Sequence, residues 1–434
     1  MRIPSIKCQS KYVQIIGCIL SFLLVFLSSF GGSLLGFKIG TITFSLFRIL
    51  AVISFIFFIL FNGEFFKRVS EKGFPITGCI LLLWLAVSLL QLIWSPDKTE
   101  CFRHLLIFVC VIFTYFFLYT FISNKKRINV LLFIVNLSTL IILGLCLYEI
   151  ITGDYLLSFD NDSIQSFVNK KDTNIFGLFS PLLLGNTNNV GLYCLFVIVL
   201  MFIQLTINKN KWIVGLSTIT LILSFFVLLC TNSRAAIFAL CIFSLMQTLL
   251  YLVSNKIRKI VVYVMVPVVI IGTIGAAIYI FNYPGSISDA VRINVYKNSF
   301  YSLFKYSYGF GIGIGQAPYY LNQFANTNGV VEVHSFFLET ALCSGIIMFI
   351  VFCSSFVMLE KRIYKSMLSD EDNVSFLTIT IFCFFIAFFV ASFGPSSFFA
   401  IEWPWIFVFI LLMVVDFYIT KLPSIKVKET ANEK

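Results

Sequence analysis

Long apolar stretches separated by short polar segments run through the whole sequence. Uncharged runs such as Tyr12–Phe30, Ile76–Ile93 and Leu105–Ile122 approach the roughly 20 residues that cross a bilayer as a helix. Backbone groups in lipid must be hydrogen-bonded within their own segment, which a helix achieves, whereas a membrane barrel would show short alternating segments. The pattern therefore predicts an all-α integral membrane protein, with residues 1–434 forming a single polytopic domain.

Hydropathy predicts about twelve transmembrane helices. The predicted spans are Tyr12–Phe30, Thr43–Phe61, Ile76–Ile93, Leu105–Ile122, Ile128–Ile151, Asn188–Ile207, Trp212–Cys230, Ala235–Val253, Ile260–Phe281, Ser335–Leu359, Phe376–Phe393 and Trp403–Thr420. Two longer polar segments interrupt this series. Residues 152–185 follow the fifth span, and residues 282–334 form the main loop, between the ninth and tenth spans.

Basic residues concentrate in every second loop, which predicts the orientation of the chain. The predicted inner cations are Arg2, Lys7, Lys11, Lys67, Arg68, Lys72, Lys125, Lys126, Arg127, Lys209, Lys211, Lys256, Arg258, Lys259, Lys361, Arg362, Lys365, Lys421, Lys426, Lys428 and Lys434. Both termini are then cytoplasmic, and the segments 152–185 and 282–334 face outward. We also expect the N-terminal apolar run to be the first span, because no signal-peptide cleavage site follows it.

Composition agrees with this class. The chain is 59% hydrophobic and only 12% charged, whereas soluble domains carry roughly 25% charged residues. The net charge of +11 resides mostly in short loops, so we expect it to set topology and do not expect a nucleic-acid partner. The twelve cysteines form no C-x-x-C pair and mostly lie in apolar runs, so neither a disulfide framework nor a metal site is predicted.

The outward segment 282–334 begins with a predicted short helix. Its apolar positions are Val291, Val295, Phe300 and Phe304, and the cations between them are Arg292, Lys297 and Lys305. This spacing predicts an amphipathic helix lying on the outer membrane surface. Two interpretations remain open at this point: the cations contact lipid headgroups, or they bind an anionic ligand.

The same segment continues with a glycine run and closes on a histidine. The run GFGIGIG, residues 309–315, lacks the preceding strand of a dinucleotide-binding motif. It predicts a tight re-entrant turn in which the backbone at Gly311 and Gly313 approaches a ligand. His334 then opens the tenth span. A neutral imidazole, with an ordinary pKa of about 6.5, is a suitable general base, although a lone histidine is more often structural. For His104, interfacial packing is expected, and a functional role is the less favoured alternative.

Other polar residues lie at the outer ends of spans. Arg234 follows a very short turn after Cys230. It either snorkels or caps a helix, or it forms an anion site, since a guanidinium binds phosphate oxygens bidentately. Arg48, in the outer part of the second span, either snorkels or joins that site. The stretch 186–189 is predicted to cap the sixth span.

These residues, in this order, resemble a superfamily that comprises the O-antigen ligases and the polymerases of capsular, teichuronic-type and O-antigen repeat units. The matching motifs are Gly185-Asn-Thr-Asn188, Ser233-Arg234, Arg292 with Tyr296, Gly311-Ile-Gly313 and His334-Ser-Phe-Phe-Leu-Glu339. The resemblance covers roughly residues 185–345. It departs from the family at Ser335, where Asn is more frequent.

The resemblance implies a membrane glycosyltransferase, GT-C-like in the broad sense, in the bacterial plasma membrane with its active site on the outer face. It implies a glycan donor on undecaprenyl pyrophosphate and neither a cofactor nor a metal. Arg234 and Arg292 would bind the pyrophosphate, and His334 would deprotonate the acceptor hydroxyl, inverting the anomeric centre. Further candidates for substrate binding are Arg48, Asn188, Tyr296, Lys297, Gly311 and Gly313.

The leading functional prediction is a polymerase of surface polysaccharide repeat units of capsule, O-antigen or teichuronic type. The alternative is a ligase that transfers the finished glycan to a lipid or protein acceptor. A twelve-helix transporter or lipid flippase is less favoured, because the two halves differ and the polar residues collect at the outer face. Expected partners are the undecaprenyl-pyrophosphate-linked oligosaccharide and membrane lipid, with a chain-length regulator and a flippase as candidate protein partners.

Overall fold

The computed structural model describes residues 11–31, 36–39, 42–156, 176–282, 287–368, 372–395 and 398–419. Several predictions fall outside these ranges. They concern the N-terminal cations Arg2 and Lys7, most of the outer segment 152–185 and the basic tail beyond residue 420.

Helices dominate the described part of the chain. They are α1 (Lys11–Ser28), α2 (Leu46–Leu60), α3 (Gly63–Lys72), α4 (Ile76–Gln91), α5 (Lys98–Phe121), α6 (Lys125–Thr152), α7 (Thr187–Ile207), α8 (Lys211–Cys230), α9 (Arg234–Leu252), α10 (Asn255–Asn282), α11 (Ile287–Ser307), α12 (Ala317–Leu321), α13 (Phe336–Met367), α14 (Asp372–Ala391) and α15 (Trp403–Val414). Short 3₁₀ turns lie at Ala325–Thr327 and Phe398–Ala400, and a π-helical turn, Val415–Ile419, extends α15.

The predicted multi-pass helical membrane protein is confirmed. Within the described ranges, eight helices are long and apolar enough to cross a bilayer, and the pair α2 and α3 passes the same test together although it bends by 76°. Three further apolar helices, α4, α14 and α15, are shorter. Each predicted span overlaps one of these helices or the bent pair. Twelve complete crossings, and the side on which each loop lies, remain predictions.

A two-stranded antiparallel sheet was not anticipated from the sequence. Strand β1 (Gly36–Ile39) pairs with β2 (Ile42–Ser45), and Gly36 lies opposite Ser45. The predicted second span began at Thr43, but the strand takes up its first residues. The helix α2 starts instead after Ser45, whose side chain accepts a hydrogen bond from the N–H of Arg48 and so caps the helix.

Helix α7 lies at the centre of the bundle, and nearly all of its residues are buried. It packs against α8, α6, α9 and α14. Polar side chains in this core satisfy one another: Asn136 on α6 donates to Gln204 on α7 at 2.9 Å and accepts from Thr220 on α8 at 2.6 Å. Lipid tails are as apolar as leucine side chains, so burying apolar surface gives little driving force for helix association in a membrane. Interhelical hydrogen bonds such as these therefore contribute to it.

The main loop is folded over its described residues, and its predicted helix exists as α11. The apolar face differs from the prediction. Val291 and Val295 are buried and the stripe continues through Leu303, while the two phenylalanines, Phe300 and Phe304, are 52% and 55% exposed. The stripe follows the i, i+4 rows of the helix surface, and Phe300 and Phe304 lie one residue beyond those rows. Helix α11 thus packs on protein through its valine face.

Helix α13 is broken where the glycine run meets it. Gly345 adopts φ 89° inside α13, which frees carbonyl groups on the turn before it. The run lies in this break: Ile312 donates its N–H to the carbonyl of Leu342 at 2.9 Å, and the next N–H of the run donates to the next carbonyl of α13 at 3.0 Å. Because freed backbone groups at membrane depth need partners, the run and the break stabilise each other.

Candidate functional site

One face of α11 connects the principal candidate residues. Asp289, Arg292 and Tyr296 stand at positions i, i+3 and i+7 and therefore share a side of the helix. Asp289 and Tyr296 are separated by about 10 Å along the axis, given a rise of 1.5 Å per residue. Arg234 contacts the first of these residues, and His334 contacts the last. The face thus extends from one candidate to the other, with Arg292 between them.

Arg234 presents its charge to solvent beside α11. It is the first residue of α9, after a turn in which Asn232 adopts the left-handed conformation with φ 55°. Its guanidinium lies 3.8 Å from the carboxylate of Asp289, and its side chain is 86% exposed. An exposed ion pair at this distance contributes little. The guanidinium is therefore not fixed by its protein partner and can reorient toward an anion.

A second connection runs behind this turn, through Asn188. The hydroxyl of Ser233 donates to Oδ1 of Asn188 at 2.8 Å, which ties the start of α9 to the start of α7. The cap of α7 is Asn186, whose side chain accepts from the N–H of Asn189, as predicted for this stretch. A Cβ atom on Gly394 would lie 3.3 Å from Oδ1 of Asn188. The turn after α14 therefore packs closely on this pair.

His334 is held from two sides in an unusual backbone conformation. Its φ of 50° lies in the left-handed region, which is unfavourable for a residue with a Cβ atom. The hydroxyl of Tyr296 donates to the carbonyl of His334 at 3.2 Å. The backbone of Gly394 lies beside the imidazole and acts on it electrostatically. Its Nδ1 is buried, and no residue in the described ranges forms a hydrogen bond with it.

The surroundings favour the neutral form of this imidazole. Burial lowers the pKa of His334, and the positive charge of Arg292 lowers it further, while Glu332 and the Gly394 backbone act in the opposite direction. Burial likewise raises the pKa of Tyr296, against the effect of Arg292. Arg292 is thus close enough to act electrostatically on both groups. A histidine with a lowered pKa is unprotonated at neutral pH and can accept a proton.

Residues that sequence analysis had not assigned to the site hold His334 in place. Ser335 caps α13 by accepting from the N–H of Leu338 at 3.4 Å, so a serine serves here where the family more often has asparagine. The buried carboxylate of Glu339 accepts from the N–H of Phe398 at 3.0 Å, which anchors the 3₁₀ turn Phe398–Ala400. The N–H of Phe336 donates to the carbonyl of Ser392 at 3.0 Å, which holds the turn that contains Gly394. The position of Glu339 in the matched motif was the available signal for it.

Arg48 does not join these residues. Its Nε lies 2.7 Å from a carboxylate oxygen of Glu402, and the two side chains are 14% and 1% exposed. The charge is thus compensated inside the bundle by Glu402, and a role for Arg48 in the anion site stays a prediction. Lys297 follows Tyr296 by one residue and is exposed, so it projects about 100° away around the helix from the face that carries Arg292.

The glycines approach other parts of the protein. A Cβ atom on Gly311 would lie 2.5 Å from the Gln91 side chain, and one on Gly313 would lie 2.4 Å from that of Ser95. At Gly315 the equivalent atom would meet the ring of His104, which agrees with the packing role expected for that histidine. The close approach predicted from glycine is present, but the partner is the turn between α4 and α5. A ligand contact at Gly311 or Gly313 stays a prediction.

No residue is assigned to a metal or a cofactor. Across the described ranges, no group of three or more His, Cys, Asp or Glu side chains comes together in a way that could hold an ion. The chemical groups that the site offers are two guanidinium groups, the carboxylate of Asp289, a neutral imidazole and a phenol. They suit the binding of an anion and the removal of a proton.

Comparisons with known proteins agree with the motifs. Residues 219–353 match the family model described as O-Antigen ligase, and this range contains Arg234, Arg292 and His334. The predicted superfamily resemblance is confirmed. The Teichuronic acid biosynthesis protein TuaE of Bacillus subtilis (strain 168) is 22% identical over 368 residues, which cover 79% of this chain and 72% of the relative. The chain is thus similar to the O-Antigen ligase family over residues 219–353 and to a protein of teichuronic acid biosynthesis over most of its length.

Proposed function

We propose that this protein polymerises repeat units of a surface polysaccharide, using a glycan carried on undecaprenyl pyrophosphate. The observation that carries the proposal is the shared face of α11, which extends from Arg234 through Arg292 to the Tyr296–His334 contact. Two cations and a neutral base along about 10 Å of helix suit a substrate with a charged leaving group next to its reacting carbon.

The two arginines would hold the pyrophosphate. A guanidinium offers a planar fork to phosphate oxygens, and charge-assisted hydrogen bonds of this kind are about twice as strong as neutral ones. Arg234 is exposed and weakly paired, while Arg292 is partly buried beside His334. As the bond to the sugar breaks, negative charge grows on the pyrophosphate, and both cations stabilise it.

His334 would activate the acceptor. Its neutral imidazole takes the proton of an acceptor hydroxyl, and the oxygen attacks the anomeric carbon from the side opposite the pyrophosphate. A new glycosidic C–O bond forms, the bond between that carbon and the pyrophosphate oxygen breaks, and the anomeric configuration inverts. Undecaprenyl pyrophosphate leaves with the bonding electron pair, and the imidazolium later releases its proton to solvent.

We further place this site on the outer face of the bacterial plasma membrane, with both termini cytoplasmic. The alternating basic loops support this orientation. Single cysteines at Lys125 and Asn322, in a background without other cysteines, can be labelled in intact cells with a membrane-impermeant thiol reagent. We expect reaction at position 322 and none at position 125, and the reverse pattern would contradict the orientation.

A ligase is the second candidate, and the description of the matched family model favours it. The two activities differ in what accepts the glycan. The test supplies purified protein in vesicles with a lipid-linked repeat unit as the only sugar substrate. A polymerase yields a ladder of products on a gel, because the repeat unit also serves as acceptor. A ligase yields no product until another lipid or a protein acceptor is added.

The same assay tests the role of the arginines. In Arg292→Lys the positive charge remains but the bidentate geometry is lost, so we expect most of the turnover to disappear. Lys305→Arg is a matched control, because Lys305 lies on the same helix and is exposed. Both variants should reach the membrane fraction in normal amounts. Normal product length with Arg292→Lys would refute the pyrophosphate clamp at this residue.

A further inference from the structure

A cavity of about 510 Å³ lies between α3, α4, α5, α13 and α15. One end reaches Phe336 and Phe398, close to the start of α13, and the other reaches Arg68 on α3 and Arg362 near the end of α13. The cavity therefore begins near the candidate site and extends along the bundle to an end that is far from it. Its volume is in the range of known ligand pockets.

The interior of the cavity is apolar and aromatic. Trp84, Phe352, Phe385 and Trp405 are among the residues that line it, and the first and last of these rings lie 5.7 Å apart. These side chains offer no hydrogen-bonding surface of any extent to water. In a membrane, such a space favours a hydrocarbon chain as its occupant.

The far end of the cavity is cationic. Arg68, Lys72 and Arg362 line it together with one carboxylate, that of Asp416, which lies 3.4 Å from Arg362. Arg68 is only 7% exposed. It donates to the carbonyl of Ile122 at 2.9 Å, and its guanidinium lies over the Tyr119 ring, 4.5 Å from the ring centroid, but its Nε has no hydrogen-bond partner among the described residues. A buried guanidinium with an unused donor indicates that a ligand group completes it.

Helix α3 supplies two of these cations and has the character of an interfacial helix. Its sequence, GEFFKRVSEK, is strongly amphipathic, and α3 bends by 76° from the apolar helix α2. A short basic amphipathic helix at the end of a span commonly lies at the level of lipid headgroups. The cationic end of the cavity is therefore placed where a phosphate headgroup would be.

We propose that this cavity binds one anionic phospholipid, with its phosphate at Arg68, Lys72 and Arg362 and an acyl chain between α4 and α13. The charge distribution distinguishes this ligand from the isoprenoid tail of a glycan donor. A donor bound in the proposed orientation has its pyrophosphate at Arg234 and Arg292, at the other end of the bundle. It would leave the three cations of the cavity without an anion.

The test measures lipid binding to the full chain by native mass spectrometry. Purified protein is titrated with dioleoyl phosphatidylglycerol and, separately, with dioleoyl phosphatidylcholine. We expect one tightly bound phosphatidylglycerol and markedly weaker binding of phosphatidylcholine. In the double variant Lys72→Gln/Arg362→Gln the affinity for phosphatidylglycerol should fall about 30-fold, since each cation near an anionic lipid contributes a factor of about five.

Two further variants locate the ligand. Lys126→Gln removes one positive charge at the start of α6, near the same end of the bundle but outside the cavity. This variant should bind phosphatidylglycerol like the wild type. Ser355→Trp keeps the cations and fills the acyl part of the cavity, so it should abolish tight binding. Lys72 and Arg362 are both exposed, so we expect the double variant to fold. A thermal unfolding temperature close to that of the wild type would verify this.

Several results would overturn the proposal. They are equal affinity for both lipids, unchanged affinity in the double variant, or unchanged affinity with Ser355→Trp. Displacement of the lipid by inorganic phosphate would show that only a free anion binds at the mouth. Displacement by undecaprenyl phosphate at equal concentration would assign the cavity to the isoprenoid chain. None of these results depends on whether the protein polymerises glycans.

Discussion

The contact between Tyr296 and His334 offers the sharpest test of the site. Tyr296→Phe removes one hydroxyl group and leaves the ring and its packing in place. The hydroxyl donates to the His334 carbonyl at 3.2 Å, and His334 has a φ of 50°. The change therefore releases the backbone of the candidate base without touching its imidazole, the arginines or the charge of the site.

The expected magnitude follows from two similar energies. A left-handed backbone conformation costs about 1–2 kcal/mol for a residue with a Cβ atom. One neutral hydrogen bond contributes about 0.5–1.5 kcal/mol, so the bond from Tyr296 offsets much of that cost. Without it, His334 should leave its position for part of the time. We expect kcat to fall about 5–10-fold, with a similar KM for the donor and a small decrease in the unfolding temperature.

The assay is turnover by purified protein in vesicles, with kcat and KM determined separately across pH. Tyr306→Phe is the matched control, because Tyr306 lies on the same helix and its hydroxyl forms a long, exposed contact of 3.4 Å with Gln323. The midpoint of the acid limb should be similar in both variants, since burial is the main cause of the lowered His334 pKa. A wild-type kcat for Tyr296→Phe would refute the positioning role.

Three further predictions address the base and the packing around it. His334→Ala should lower kcat by about 10²–10⁴-fold with a similar donor KM. The wild-type rate should decline on the acid side with a midpoint below the ordinary histidine pKa of about 6.5, because burial lowers the pKa of His334 and protonation removes the base. A wild-type rate that is independent of pH below 6 would contradict this. Gly313→Ala should destabilise the protein by more than about 1 kcal/mol in thermal unfolding, because φ is 102° and a Cβ atom would meet Ser95, whereas Gly215→Ala, at an open helical position, should not. Arg48→Met should cost about 3–5 kcal/mol by leaving the Glu402 carboxylate buried and unpaired, and Glu402→Gln in the same chain should restore most of that loss.

The sequence alone was sufficient to predict the membrane class and the positions of most of the apolar helices. Runs such as Leu105–Ile122 satisfy their own backbone only as helices in lipid, so hydropathy and length predict them without tertiary information. The order of the motifs from Gly185 to Glu339 indicated the superfamily in the same way. The N-cap in the stretch 186–189 was also predicted, because capping depends on a few adjacent residues.

The use of each polar residue depended on partners far away in the chain. Arg48 could snorkel or bind an anion until the bundle placed it beside Glu402, which is 354 residues away. Gly311 could serve a ligand or the protein until α4 was packed against it. A sequence pattern reports local geometry and the chemistry that is available, but it does not report which groups meet.

Contacts between distant parts of the chain also explain the break in α13 and the assembly of the site. The pair Ser344-Gly345 permits a kink, but the break is stabilised by distant residues, because the glycine run donates its N–H groups to the freed carbonyls of Leu342 and its neighbour. The convergence of Arg234 and His334 on one face of α11 likewise requires the α9 turn and the start of α13 to pack against that helix. Local sequence therefore determined which segments are helical, and long-range packing decided which side chains form the site.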